Sequence, residues 1–161
     1  MMHNKKYLNC IAMALVVFAC FVWVFFIAIQ DFKTHNFITI TINGASVYAE
    51  VVDTKISRQK GLSGRQKLPY GEAMLFVFEK EGFHSLWMRN MNFAIDIIWI
   101  DKNGVIVDIK KNALPNSYPN AYLPKKPALF VLETNKNFVL KNKISIGDMV
   151  NFETLNNGNL K

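Results

Sequence analysis

The chain reads as an all-β domain, a small β-sandwich or partly open barrel of about eight strands with one or two short helices, preceded by a single transmembrane helix. Three observations carry that expectation. Short runs of β-branched and aromatic residues alternate with polar ones, as in FITITI at 37–42, which is the period-two signature of a half-buried strand. Asn-Gly and other Gly-bearing turns punctuate these runs, at Asn43-Gly44, Asn103-Gly104 and Gly147-Asp148, and such turns join strands directly. Finally, residues 8–29 form 22 uncharged, almost wholly apolar positions. At about 1.5 Å per residue, that is enough to cross a hydrocarbon core of about 30 Å.

Three fates compete for the apolar stretch. A cleaved signal peptide has a shorter apolar region and a small-residue exit, but this one ends Phe25-Phe26-Ile27-Ala28-Ile29-Gln30. A lipoprotein would be processed at Val17-Phe18-Ala19-Cys20, where Phe18 is bulky and the residues after Cys20 remain apolar. An uncleaved signal anchor fits best. Lys5 and Lys6 precede the stretch, and Lys33 after it is offset by Asp31, so the N-terminus is expected inside and the β-domain outside. The expected organisation is a cytoplasmic stub at 1–7, the anchor at 8–29, a linker at 30–36, the β-domain at 37–153 and a polar, Asn-rich tail at 154–161.

Lys and Arg outnumber Asp and Glu by 19 to 12. The lysines occur mainly singly or in pairs, which argues against a nucleic-acid partner and suits a surface facing lipid or anionic envelope material. Both cysteines, Cys10 and Cys20, lie in the apolar stretch. The β-domain therefore has no disulfide and no thiol chemistry, which is compatible with an oxidising exterior.

Along the domain, a hairpin at 37–52 turns at Asn43-Gly44. Asp53-Thr54 caps a short helix at 55–61, and a loop at 62–71 carries Gly64, Pro69 and Gly71. Strands are expected at 74–78, 83–91, 95–101 and 105–110. A proline- and tyrosine-rich loop follows at 112–127, and loops of that length are usually functional. A strand at 128–134, one helical turn within 137–143 and a closing strand at 149–153 complete the domain.

The segment 84–101, HSLWMRNMNFAIDIIWID, places polar groups inside an apolar run, where unpaired polar groups are costly. Asp96 is expected to pair with Lys110 or Lys111 across the 101–110 hairpin, depending on the turn, or with Arg89. Glu133 poses the same pairing question in its own strand. Trp87 and Trp99 would either stack on a flat ligand or pack as core. Arg65, after a Gly-bearing turn, is a candidate anion contact. Met74, His84, Met88 and Met91 have the donor types of a Cu(I) site, against the alternative that methionines fill core gaps. No phosphate loop, CxxC, HExxH or GxSxG motif is present, so no catalytic residue is assigned and no cofactor is expected.

Four groups of residues occur in order: Gly61-Leu62-Ser63-Gly64-Arg65; Met74-Leu75-Phe76-Val77-Phe78; Trp87-Met88-Arg89-Asn90-Met91 with Ile95-Asp96-Ile97; and Val131-Leu132-Glu133 followed by Gly147-Asp148. Together they resemble the family catalogued as domain of unknown function 192, over most of 39–152. The resemblance implies a small, β-rich, frequently envelope-directed domain and supplies no chemistry. Two positions depart from the family pattern: Ser63 stands where a second Met is common, and Lys136-Asn137 where a Gly is common.

These residues support a binding module for a small polar or anionic ligand or an envelope partner, with Arg65, Trp87, Arg89, Asn90 and Asp96 lining the site. The rival from another class is an envelope hydrolase using Asp96 and Glu133 as acid and base, which requires the two carboxyls to open toward one space. A purely structural envelope protein is the third possibility.

Overall fold

The computed structural model describes residues 18–23 and 37–153. The chain divides into two units, Met1–His35 and Asn36–Lys161. In the first, residues 18–23 are helical. Among the described residues no helix is long and apolar enough to cross a membrane. Most of the expected anchor at 8–29, the linker and the C-terminal tail lie outside the described residues.

The second unit is all-β. Strands β1 (Phe37–Ile42) and β2 (Ala45–Val52) form the expected hairpin around Asn43-Gly44. Both turn residues have positive φ, 50° and 78°, a conformation that Asn and Gly adopt with little strain. Helix α1 (Lys55–Lys60) is capped by Thr54, whose side chain accepts from the Ser57 N–H. Strand β3 (Glu72–Gly82) follows the loop and is longer than the sequence suggests. The expected 83–91 strand shrinks to β4 (Leu86–Trp87). Strands β5 (Ile95–Ile100) and β6 (Ile106–Ala113) lead into the long loop, which contains β7 (Ala121–Tyr122). Strand β8 (Ala128–Asn135), helix α2 (Phe138–Lys141) and β9 (Val150–Glu153) complete the chain.

Seven strands form one sheet in the order β6-β5-β8-β3-β2-β1-β9, and β4 pairs with β7 separately. The result is a half-barrel rather than a sandwich. Its edge strands approach each other through the Val105–Met149 bridge and the bond from the Val150 N–H to the Gly104 carbonyl, 2.8 Å. A Cβ on Gly104 would meet that end of the seam, 3.2 Å from the Val150 carbonyl oxygen.

Closure gives the wall two faces. Inside, Ile38, Ile40, Ile42, Leu75, Ile98, Leu132 and Val139 form one core. Outside, Met74, Phe76, Ile97, Trp99 and Val131 form a second. The pairing of β2 with β3 is parallel, so their connection must cross over rather than turn back. That crossover carries α1 and the 61–71 loop, and it sets Leu62 and Leu68 on the outer core. Two apolar cores on one sheet explain why β5 is buried at every position. At the position where the family commonly has Gly, Asn137 adopts φ 67°, a left-handed conformation that Asn tolerates better than most residues.

Candidate functional site

Asp96 and Glu133 lie on adjacent strands but not on one face. Asp96 is in register with Thr134, and Glu133 with Ile97. Successive strand residues point to opposite faces, so Asp96 enters the inner core and Glu133 the outer one. This excludes the acid–base pair expected of a hydrolase built on these two residues. Among the described residues Asp96 also has no cationic partner. Its oxygens accept the backbone N–H groups of Asn112, 2.8 Å, and Val139, 3.0 Å. A shift in the β5–β6 register between Ile95 and Ile97 takes Asn112 to that bond. Lys111 is exposed, and Lys110 lies over the Tyr122 ring, 4.8 Å from its centroid. The Val139 N–H belongs to the first turn of α2, whose own N-cap residue, Asn137, makes no side-chain capping bond. Asp96 thus caps a helix from another strand, a structural task that replaces the expected ion pair with Lys110, Lys111 or Arg89.

Glu133 is different. It is 4% exposed, and its Oε2 is buried with no hydrogen-bond partner among the described residues. Burial pushes its carboxyl up to about 8, and the nearby Arg65 guanidinium opposes that shift. The group is therefore largely protonated at neutral pH and carries an O–H donor. Among the described residues the expected ion pair at Glu133 is not formed; Arg65 instead bonds Glu50 at 2.6 Å. Glu50, 5% exposed, is in register with Met74, which in turn is in register with Glu133. The two acids are thus two strands apart on the outer face, roughly 10 Å between their Cα atoms.

The crossover loop reaches this row because it is tied to the segment after β4. The Gly64 N–H donates to the Asn90 carbonyl at 2.9 Å, Ser63 Oγ to the Arg89 carbonyl at 2.9 Å, and Asn92 Nδ2 to the Arg65 carbonyl at 2.8 Å. Asn90 has φ 55°. Arg65, Arg89 and Asn90 are therefore brought into neighbouring loops. Arg89 lies over Trp87, 5.7 Å from its ring centroid, so Trp87 joins them, whereas Asp96 is on the other side of the wall.

The remaining candidates resolve into packing. Trp99 is buried and donates through Nε1 to the His84 carbonyl, 2.8 Å. Met74 and Met88 belong to the outer core, with Met91 packed against it. The His84 ring stacks on Phe78 at 3.5 Å, and its Nε2 is 2.9 Å from the Lys80 carbonyl oxygen. Among the described residues no group of three or more His, Cys, Asp or Glu side chains could hold a metal ion. A groove of about 430 Å³ beside α2, lined in part by Tyr70, Glu72, Lys136 and Lys141, contains none of these candidates.

Glu50 and Asn92 are not singled out by the sequence, and Ser63 only as a departure from the family pattern. Glu50 carries the same signal as Asp96, a lone acid in an apolar strand. Ser63 and Asn92 carry none, because their roles depend on two loops meeting.

The fold and the outer-face cluster define a class of small half-barrel β-domains with a crossover loop laid over the wall. The chain belongs to the DUF192 family, described as an uncharacterized ACR, whose pattern matches residues 38–152. A Sinorhizobium meliloti protein provisionally described as a transcription regulator is similar in structure, with TM-score 0.69 and 24% identity over 74% of this chain and 96% of that one. That likeness concerns the fold alone. It also means that a chain with little beyond this domain adopts the fold. A Novosphingobium aromaticivorans protein of unknown function is similar with TM-score 0.65 and 28% identity, over 73% of this chain and 84% of that one. No curated protein matches.

Proposed function

We propose that this protein is a single-pass membrane protein, anchored through residues 8–29, whose β-domain outside the membrane holds a small anionic ligand at Arg65 and Glu133. One observation carries the ligand reading: a buried carboxyl with an unpartnered oxygen, pushed up to about 8, beside a guanidinium that is part-exposed. An unpaired buried polar group is expensive to keep, and strongly shifted groups cluster at functional sites. With Glu133 protonated and Arg65 balanced by Glu50, the site is close to neutral but rich in donors. Its complement is a group that presents acceptors, such as a carboxylate or phosphate. Asn90, Arg89 and Trp87 border the same loops. The location rests on the apolar stretch, on Lys5 and Lys6 before it, and on the absence of thiols from the β-domain.

Thermal-shift titration of residues 31–161 with phosphate, acetate and succinate tests the ligand reading. At least one anion should raise the melting temperature at pH 6.5, less so at pH 9, and not in Arg65→Gln. If none does, or if Arg65→Gln responds like the parent, the reading fails. Protease accessibility of the β-domain in intact cells tests the location.

A further inference from the structure

The β4–β7 ribbon has a core side and an outward side. Leu86 and its register partner Tyr122 pack on the outer core. The next pair, Trp87 and Ala121, must then face out, and Trp87 is 47% exposed. Tyr118 meets the Trp87 ring edge-on at 6.2 Å and is 46% exposed. Leu123 follows at 62%.

The sequence of this ribbon and its flanks is one-sided in charge. Residues 82–95 and 109–132, which include the ribbon and its flanks, contain Arg89, Lys110, Lys111, Lys125 and Lys126 and no Asp or Glu. All 12 acids lie elsewhere in the chain. The acid nearest in sequence on the lysine side, Asp108, is buried and accepts the N–H groups of Ile109 and Lys125. Lys125 and Lys126, both exposed, directly follow Leu123-Pro124 in the chain.

We propose that this face docks on an anionic phospholipid bilayer, with Trp87, Tyr118 and Leu123 in the headgroup–acyl boundary and Lys125 and Lys126 over the lipid phosphates. Exposed aromatic and aliphatic side chains ringed by cations have the composition of an interfacial binding surface. A nucleic acid or polyanionic glycan would also draw the cations. Arg89 already lies over the Trp87 ring, however, and Leu123 offers nothing to a base or sugar. The apolar stretch at 8–29 ends seven residues before β1. On the anchor reading proposed above, seven residues of linker span at most about 25 Å.

The test is co-sedimentation of residues 31–161, which lack the whole apolar stretch, with phosphatidylcholine vesicles with and without phosphatidylglycerol. Binding should require the anionic lipid and weaken with salt. Lys125→Gln and Lys126→Gln should each lower partitioning about fivefold, the equivalent of about 1 kcal/mol per lysine. Trp87→Ala should lower it further, while Lys141→Gln beside α2 should leave it unchanged. Melting temperatures of the lysine variants check that the fold is kept. The proposal is overturned if binding ignores lipid charge, if Lys141→Gln matters as much as the ribbon lysines, or if a random DNA duplex or heparin binds while vesicles do not. None of these outcomes depends on Glu133, so this surface and the anion site fail separately.

Discussion

Two acids stand side by side in the half-barrel wall and have opposite fates. Asp96, 1% exposed, faces the inner core, and each of its oxygens accepts a backbone N–H. Glu133, 4% exposed, faces the outer core with Oε2 unpartnered among the described residues and its carboxyl pushed up to about 8. Burial is nearly equal, so burial alone does not distinguish them. The difference lies in what covers each face. The inner core is closed by a helix whose first turn offers a donor. The outer core is covered by a crossover loop whose cation, Arg65, is engaged with Glu50. A satisfied acid is part of the scaffold. An unsatisfied one weakens the scaffold and marks the place where a ligand would complete the bonding.

The strongest way to break this comparison is to remove Asp96. Asp96→Ala leaves the buried N–H groups of Asn112 and Val139 without their acceptor and should cost about 3–5 kcal/mol, read as the urea midpoint. A cost below about 1 kcal/mol would mean that water replaces those bonds, and the structural role assigned to Asp96 would fall.

Glu133→Gln should act in the opposite direction. The folded group sits at about 8 against 4.5 for the free side chain. Between those values the unfolded chain has released a proton that the folded chain still holds, so wild-type stability is full below about 4.5 and falls as pH rises toward 8. The loss is at most about 3 kcal/mol at pH 7. Glutamine is neutral throughout, so the variant should be more stable at pH 7 and its stability should no longer fall between pH 5 and 8. A parallel pH dependence in variant and parent would show that Glu133 ionises freely in the folded state.

Arg65→Gln comes next. It removes the 2.6 Å ion pair with the buried Glu50, at about 2 kcal/mol once the partial exposure of Arg65 is allowed for. Removing the opposing cation should also raise Glu133 further, which carboxyl infrared titration can follow. The three substitutions separate by sign as well as size, so one stability series at two pH values tests the comparison.

How much of this was readable from the residues depends on the range of the interactions. The FITITI hairpin needs only its neighbours, and it stands where the alternation places it. The expected strand at 83–91 shrank to Leu86–Trp87, because apolar residues there pack down onto the outer core rather than along a sheet. The parallel β2–β3 pairing left no local trace, yet it carries Arg65 to Glu50. Asp96 reads in the sequence as an acid in an apolar strand that needs partners. Its donors are the main-chain N–H groups of Asn112 and Val139, and any residue but proline brings one, so side-chain pairing rules pointed to lysines instead. Arg65, Arg89 and Asn90 were singled out from separate stretches, and the loop bonds bring them together.

The smallest effect concerns those loop bonds. Ser63 Oγ donates to the Arg89 carbonyl at 2.9 Å in a partly exposed setting. Ser63→Ala should cost only about 0.5–1 kcal/mol globally, because the Gly64–Asn90 backbone bond remains. Local opening should respond more. The 61–65 loop is held to the wall by Leu62 and a few polar bonds, whereas the inner core draws its residues from several strands and α2. Segments held by few contacts open without global unfolding. Amide exchange at Gly64 and Arg65 should therefore quicken in Ser63→Ala while that of Ile98 and Leu132 stays unchanged. If exchange quickens equally at all four, the outer cover and the inner barrel open as one unit, and the contrast between the two faces is chemical only, with no counterpart in their dynamics.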